Sequence, residues 1–531
     1  MKQIEIRRKQ IEYLTKAAEI LLFLMIKKKL GLEGSGFFLV PLMLFTMFWP
    51  YFGETLPDAL ARLIRVRRNK GQYKSVKSIR WYAFLCQFVM GAIGTFLMLT
   101  LGSFLGERVF GCTYAGPMIW ILSPLLFLRG ISNLFLGYFQ GEGFELPGVV
   151  SCVLRVIVIY AFGMILGGVS GEYGSKVSAL LKGERYVGMY AGEGWCLGIL
   201  MAELLVILVL FVFFLGMKGK KRNGDFEAVK DTASLPGYVI AVFQNKIYVS
   251  LVLFLEQFPV FMGMMLYYKR VGAKAPVTYG TFFVGYLAVC IFLVRLISAL
   301  AVPYWPKVGG FFRQDDVRLG RVCFHGGIHL ILSLSSILAA GVSAMASQVG
   351  ALAGFTSPDL VKVVVQGSAL IPFLCLAFYF SRILMRFKKS LLVIGMGILS
   401  DVLFVMIFSM MWSDEKHGLL ALTYAGLISV GVYAVLLGAI AIQLVGGRMN
   451  WLKDVVIPLF LAVAVGILQA LCVKFVGDKL ESLYVVLLIG AGGFVVYWCA
   501  LLYLRNFTEE ELSVMPGGNV ILSFGKMLGI Y

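Results

Sequence analysis

Arg129, Arg155 and Arg295 each stand inside a long apolar run, and Glu19, Glu193, Glu203, Glu256 and Asp401 do so with the opposite charge. An ionisable side chain at the centre of a membrane helix costs about 2.5–3.5 kcal/mol unless it faces protein or water, so each position calls for a partner or a task. A guanidinium stays charged at any relevant pH, and its rigid fork can donate two hydrogen bonds at once to a phosphate or a carboxylate. The three arginines therefore read either as a pocket for an anionic headgroup or as interhelical ion pairs with a carboxylate such as Glu203 or Glu256. Glu193, Glu203, Glu256 and Asp401, with Lys246 among them, could couple to a proton or cation. Glu12, Lys16 and Glu19 fall at i, i+4 and i+7 and give the first apolar segment a polar stripe. Glu12 and Lys16 also suit a membrane interface, whereas Glu19 lies deeper.

Other chemistry has little to stand on. His325 and His329 have the i, i+4 spacing of a metal pair, but no glutamate sits between them as in HExxH and no third ligand is evident, so no metal is expected. The chain has no GxxxxGK[ST] loop, no Ser-His-Asp ordering and no carboxylate-rich loop cluster. No catalytic residue and no cofactor are expected, and moving a substrate is the task that remains. The 9 cysteines are mostly within apolar runs and lack CxxC spacing, so they read as small packing residues.

The elements that must carry these charges are membrane helices. The 531 residues are 60% hydrophobic and 15% charged, with a mean hydropathy of +0.87, against about 45–50% apolar and 25% charged in a soluble domain. A span takes roughly 20 apolar residues, because only intrahelical bonds can satisfy its backbone in hydrocarbon. About fourteen such windows occur: 12–30, 37–56, 81–105, 115–139, 146–168, 191–217, 239–267, 277–302, 322–345, 361–382, 391–412, 419–445, 455–473 and 483–504. The loops between them are short, the longest near 168–190 and 218–236.

The net charge of +19 gathers in alternate loops, at Arg62 to Lys77, Lys218 to Arg222, Lys307 to Arg321 and Arg382 to Lys389. The positive-inside rule makes these loops cytoplasmic and places both termini there, with Lys27 to Lys29 as the exception. The charge suits anionic lipid headgroups, and no soluble domain exists to present it to nucleic acid. No removable signal peptide is evident, so the first helix is expected to stay.

A weak internal echo divides the chain. Leu56-Pro57 precedes one basic stretch and Val302-Pro303 precedes another, about six helices later. An even offset relates two halves by an axis along the membrane normal. The expected architecture is an all-α polytopic membrane protein of about fourteen helices: a six-helix lobe at 1–217, a cytoplasmic linker at 218–235, a second six-helix lobe at 236–447, and two further helices with a tail at 448–531.

Several segments occur in an order that is fairly specific: Gly31-Leu-Glu-Gly34; Leu56-Pro57 through Arg62; Gly71 to Lys77; Leu136-Gly-Tyr-Phe-Gln-Gly141 with Pro147; Tyr279-Gly280; Pro303; and Phe507 to Leu512 with Pro516-Gly-Gly518. They resemble the multidrug/oligosaccharidyl-lipid/polysaccharide (MOP) flippase superfamily, nearest to its polysaccharide-biosynthesis branch that contains stage V sporulation protein B and is related to lipid II flippases. The resemblance implies fourteen helices in two lobes around a cationic cavity. It also implies movement of undecaprenyl-pyrophosphate saccharides to the outer leaflet of a bacterial cytoplasmic membrane by alternating access. Arg62 matches a basic residue the family carries at the end of its second helix.

The chain departs from the family where charge matters. Leu136 stands where the family has the arginine of RGYFQG, and Arg129 lies nearly two turns earlier. Cys152, Arg155 and Ile159 stand where a Gln, a Glu and an Arg are common. The expected headgroup site is thus Arg62, Arg129, Arg155 and Arg295, with Glu19. Its expected partners are a lipid-linked saccharide, membrane lipids, a coupling ion and cell-wall synthesis enzymes. Rival readings are a cation-coupled drug or metabolite antiporter, a membrane enzyme, and a transport-inactive scaffold for wall synthesis.

Overall fold

The computed structural model describes residues 3–218, 234–352, 357–412, 417–447, 450–476, 482–515 and 517–527, which form helices and turns with no strand among them. The expected linker falls, from 219 to 233, outside the described residues, as do Arg448 and the side chains of Lys27 to Lys29. Among the described residues eleven helices are long and apolar enough to cross a membrane, or 12 when a bent pair counts as one span. The run Leu235–Arg313 takes in two of the expected windows, and the window at 12–30 ends at a kink at Gly31 that divides the stretch Gln3–Trp49 into two helices. The chain is an all-α, multi-pass membrane protein.

The bent pair is Pro358–Gly367 and Leu370–Arg386, at 40°. It replaces the single span expected at 361–382. A break strands backbone groups that lipid cannot satisfy. Here the Tyr286 hydroxyl donates to the Gly367 carbonyl at 2.9 Å, and a methyl group on Gly367 would come within 2.5 Å of the same ring.

By packing, the chain divides into two compact units, Leu22–Thr281 and Met1–Leu21 with Phe282–Tyr531. In the 22–281 unit the hairpin of Leu146–Leu181 and Arg185–Lys218 occupies the stretch 168–190 expected to be a loop. Its glycines and charges lower the hydropathy there, yet Gly174 packs against the turn at Tyr186 and Val187, and the helices continue. Deeper in the hairpin the buried Trp195 ring fills the space above Gly163 and Gly167, where an added methyl group would meet it at 2.2 and 2.6 Å. Small residues that admit a large neighbour are a usual solution for membrane helices, which have no hydrophobic drive to associate. Gly36 does the same against the backbone of Pro276, with a methyl group 2.0 Å from its carbonyl oxygen.

Both prolines of the internal echo open short amphipathic helices with a basic last turn. Pro57 lies in the first turn of Leu56–Asn69, and Pro303 caps Tyr304–Arg313. In the unit that holds 282–531, the C-terminal segment docks by burying Phe507 and Leu512. Phe507 stacks on His329 with centroids 3.9 Å apart and on Trp498 at 5.6 Å. A capping box between Thr508 and Glu511 then starts the short helix Glu509–Val514.

Candidate functional site

Three helices of the 22–281 unit bring Arg129, Arg155 and Glu203 together. Arg129 comes from Leu125–Gly141, Arg155 from Leu146–Leu181 and Glu203 from Arg185–Lys218. Arg155 grips the carboxylate side-on, with Nε 3.0 Å from Oε2 and Nη2 3.1 Å from Oε1. Arg129 reaches the same Oε2 through Nε at 3.5 Å. Ser132, one turn beyond Arg129 on the same face, donates its hydroxyl to Glu203 Oε1. The Glu203 side chain is 1% exposed, Arg155 11% and Arg129 18%.

Two guanidiniums face one carboxylate in a largely buried place. Arg129 is also held over the rings of Phe45 and Trp49, at 5.6 and 5.7 Å from their centroids. A cation over an aromatic face is attracted by the ring quadrupole, worth roughly 0.5–2 kcal/mol as desolvation increases. Arg129 therefore lies against an aromatic wall as well as beside the carboxylate, whereas Arg155 engages Glu203 through two of its N–H donors.

The wall continues into apolar space. Leu44, Met47, Phe48, Tyr51 and Phe52, from the stretch that carries Phe45 and Trp49, line an open cavity of about 480 Å³ together with Leu97, Leu105, Phe254 and Phe261. Every lining residue but Tyr51 is a hydrocarbon or thioether side chain. The helix register breaks at its end, where Pro50–Glu54 forms a π-helical turn. Side-chain amides satisfy the carbonyls this exposes: Gln87 donates to Phe52 at 2.9 Å and Asn133 to Gly53 at 3.1 Å. A rigid kink thus separates the cavity from the helix Leu56–Asn69.

The other expected site residues are placed as follows. Arg62 is exposed on Leu56–Asn69, beside Arg65, which bonds the Gln140 carbonyl at 3.1 Å. Glu193 and Glu256 are half-buried in the 22–281 unit. Arg295 and Glu19 are half-buried in the other unit. Asp401 is 6% exposed there, and its Oδ2 has no hydrogen-bond partner. Sequence reasoning missed Ser132, Phe45, Trp49, Gln87 and Asn133. A signal existed for Ser132 in its i+3 spacing from Arg129, and for Gln87 in its mid-span position.

A scan against protein-family models finds no match. The chain is 24% identical over 201 residues to "Stage V sporulation protein B" of Bacillus subtilis (strain 168), over 38% of this chain. It thus spans about a third of that relative's length, 36%. Among solved structures it resembles the inward-facing conformation of a multidrug resistance MATE family transporter of the MOP superfamily. That match has a TM-score of 0.62 and 13% identity, and covers 84% of this chain and 98% of the other. The fold is the one seen in that transporter. It is matched also in a MOP superfamily transporter from Pyrococcus furiosus, described as having a binding pocket of reverse polarity, at TM-score 0.57 and 13% identity over 84% and 98%. A eukaryotic MATE transporter matches at TM-score 0.56 and 16% identity over 88% and 100%. On this fold a buried polar group of the 22–281 unit sets two arginines around the Glu203 carboxylate.

Proposed function

We propose that the protein is a flippase that moves a lipid-linked oligosaccharide or peptidoglycan precursor, an undecaprenyl-pyrophosphate saccharide, across the bacterial cytoplasmic membrane by alternating access. The carrying observation is the two guanidiniums of Arg129 and Arg155 gathered on Glu203, with Arg129 over Phe45 and Trp49, whose helix stretch also lines an apolar cavity of about 480 Å³. Such a pairing suits a ligand with an anionic head and a hydrocarbon tail. An unpaired charge entering hydrocarbon is prohibitive, and a preformed cationic group lowers that barrier for the pyrophosphate.

Within this reading Arg129 is the residue that touches substrate. Arg155 and Glu203 are positioning residues that hold the field in place. Arg62, Arg295 and Glu19 remain further candidates, each within its own unit, and lobes at 1–217 and 236–447 with the extension at 448–531 are the architecture this reading expects. Both termini and the basic loops then face the cytoplasm. Limited similarity to stage V sporulation protein B supports the lipid-linked substrate class, and wall-synthesis enzymes are the partners it implies.

Transbilayer movement of a fluorescent undecaprenyl-pyrophosphate saccharide in proteoliposomes tests the proposal, with wild type beside Arg129→Ala and Arg155→Ala. We expect Arg129→Ala to abolish movement while membrane abundance and melting stay near wild type. Arg155→Ala should abolish movement too; if it lowers abundance in parallel, Arg155 serves the fold. No movement by folded wild-type protein would sink the flippase reading.

A second reading is a cation-coupled drug or metabolite antiporter. The fold likeness to multidrug MATE transporters and the buried, unpartnered Oδ2 of Asp401 favour it. Glu193 and Glu256 are its other coupling candidates, whereas Glu203 is committed to two arginines. That reading expects cationic cargo and loss of its export in Asp401→Asn. A wall-synthesis scaffold, in contrast, would tolerate loss of the arginines.

A further inference from the structure

The unit that holds 282–531 contains a second buried polar group, of opposite character. His329 lies on the helix Val317–Ala344, Asp454 at the start of the span Leu452–Phe475, and Glu511 on the docked C-terminal segment. One ligating atom from each lies within 4.8 Å of the other two, and His329 Nδ1 is 3.7 Å from Glu511 Oε2. His329 is 0% exposed and Asp454 7%. Among the described residues neither carboxylate forms an ion pair with a lysine or arginine; Lys453, next to Asp454, is exposed.

The hydrogen bonding around His329 leaves polar atoms over. His329 Nε2 sits 2.8 Å from the Asn506 side-chain amide. As oriented, that contact uses Asn506 Nδ2 and leaves Asn506 Oδ1 and His329 Nδ1, both buried, without a hydrogen-bond partner. The oxygen and nitrogen of an amide are assigned from their network. Turning the Asn506 amide over lets Oδ1 accept from His329 Nε2–H, which removes the orphaned oxygen. The neutral imidazole then carries its lone pair on Nδ1, toward the two carboxylates.

That arrangement is the usual one at metal centres, where a carbonyl accepts from the far ring nitrogen and fixes the tautomer of a ligating histidine. Three acceptors with no proton between them repel one another unless a positive ion joins them.

We propose that His329 Nδ1, Asp454 and Glu511 bind a divalent first-row cation, zinc by preference for an imidazole with two carboxylates. Bond lengths of about 2.0–2.2 Å require the donors to draw together to about 3–3.5 Å, within reach of carboxylate rotation, with water completing four-coordination. Asn506 is a positioning residue for His329. The ion staples the C-terminal segment and the start of the span Leu452–Phe475 to the buried face of Val317–Ala344. His325, one turn from His329 and also without hydrogen-bond partners at its ring nitrogens, is not a ligand in this arrangement.

The test uses full-length protein with any affinity tag removed, stripped with EDTA and then supplied with zinc alone. Metal per chain after desalting and the melting temperature are read together. We expect the wild type to retain one zinc per chain and to melt at higher temperature with zinc than with EDTA. His329→Gln and Asp454→Asn should retain none and lose the zinc-dependent shift, Asn506→Ala should bind about 10–100-fold more weakly, and Glu510→Gln, at the exposed neighbour of Glu511, should match wild type. A wild type without stoichiometric zinc and without a melting shift would overturn the site, as would ligand variants that bind zinc like wild type. Because the wild-type comparison of zinc with EDTA needs no variant, a substitution that fails to fold leaves the proposal falsifiable.

Discussion

The two buried polar groups are built from similar parts and have opposite needs. Around Glu203, donors outnumber acceptors: two guanidiniums and a hydroxyl converge on one carboxylate. Around His329, acceptors outnumber donors: two carboxylates face one imidazole, and buried polar atoms are left over. A buried ion pair repays its desolvation only when geometry is good and remaining polar atoms are satisfied. The first group gathers two guanidiniums on one carboxylate, donors that also suit an anion. The second falls short by about one positive charge, so it suits a cation.

The largest expected effect comes from removing the carboxylate that both arginines share. Glu203→Ala takes that shared carboxylate from both guanidiniums, and we expect a loss of about 3–5 kcal/mol, seen as a lower melting temperature of the purified protein. A change under 1 kcal/mol would mean that water or lipid already solvates the arginines.

Ser132→Ala removes a hydrogen bond to a charged acceptor and should cost about 1.5–3 kcal/mol, by the same melting comparison. Trp49→Leu keeps apolar bulk but takes one ring face from Arg129, and about 0.5–2 kcal/mol is expected. Its sharper readout is saccharide movement in proteoliposomes, which should fall if the aromatic wall is what aims Arg129.

The comparison stands or falls on Asp454→Asn in metal-free protein. Relieving acceptor crowding should leave stability within about 0.5 kcal/mol of wild type, measured in EDTA. A loss as large as that of Glu203→Ala would mean that His329 is protonated and already balances both carboxylates, and the contrast between the groups would disappear.

Much of the first group was legible in the sequence and little of the second. Arg129, Arg155 and Glu203 are conspicuous because a charge in an apolar run is expensive wherever it falls, and Glu203 was among the carboxylates expected to pair with them. Ser132 was overlooked because a serine in a membrane helix carries little cost and so little signal. Phe45 and Trp49 are ordinary residues for a span, and nothing in their spacing announces a cation above them. At the second group the spacing misled: His325 and His329 look like a pair, yet only His329 meets the carboxylates, which arrive from segments far along the chain. The broken span at Gly367 was also hidden, since hydropathy averages over a bend that depends on the distant Tyr286 hydroxyl.

Hydropathy alone made this chain a bundle of membrane helices, because hydrocarbon leaves the backbone no other way to bond. It also named the positions where charge needed an explanation. Which charge meets which is a different kind of information. It depends on small residues such as Gly163 and Gly36 letting helices close to contact, and on kinks at Pro50–Glu54 and Gly367 that turn side chains toward one another. Those contacts join residues distant in the chain, and pair energies fall off within a few ångströms, so the balance of donors and acceptors in each group exists only once the helices are packed.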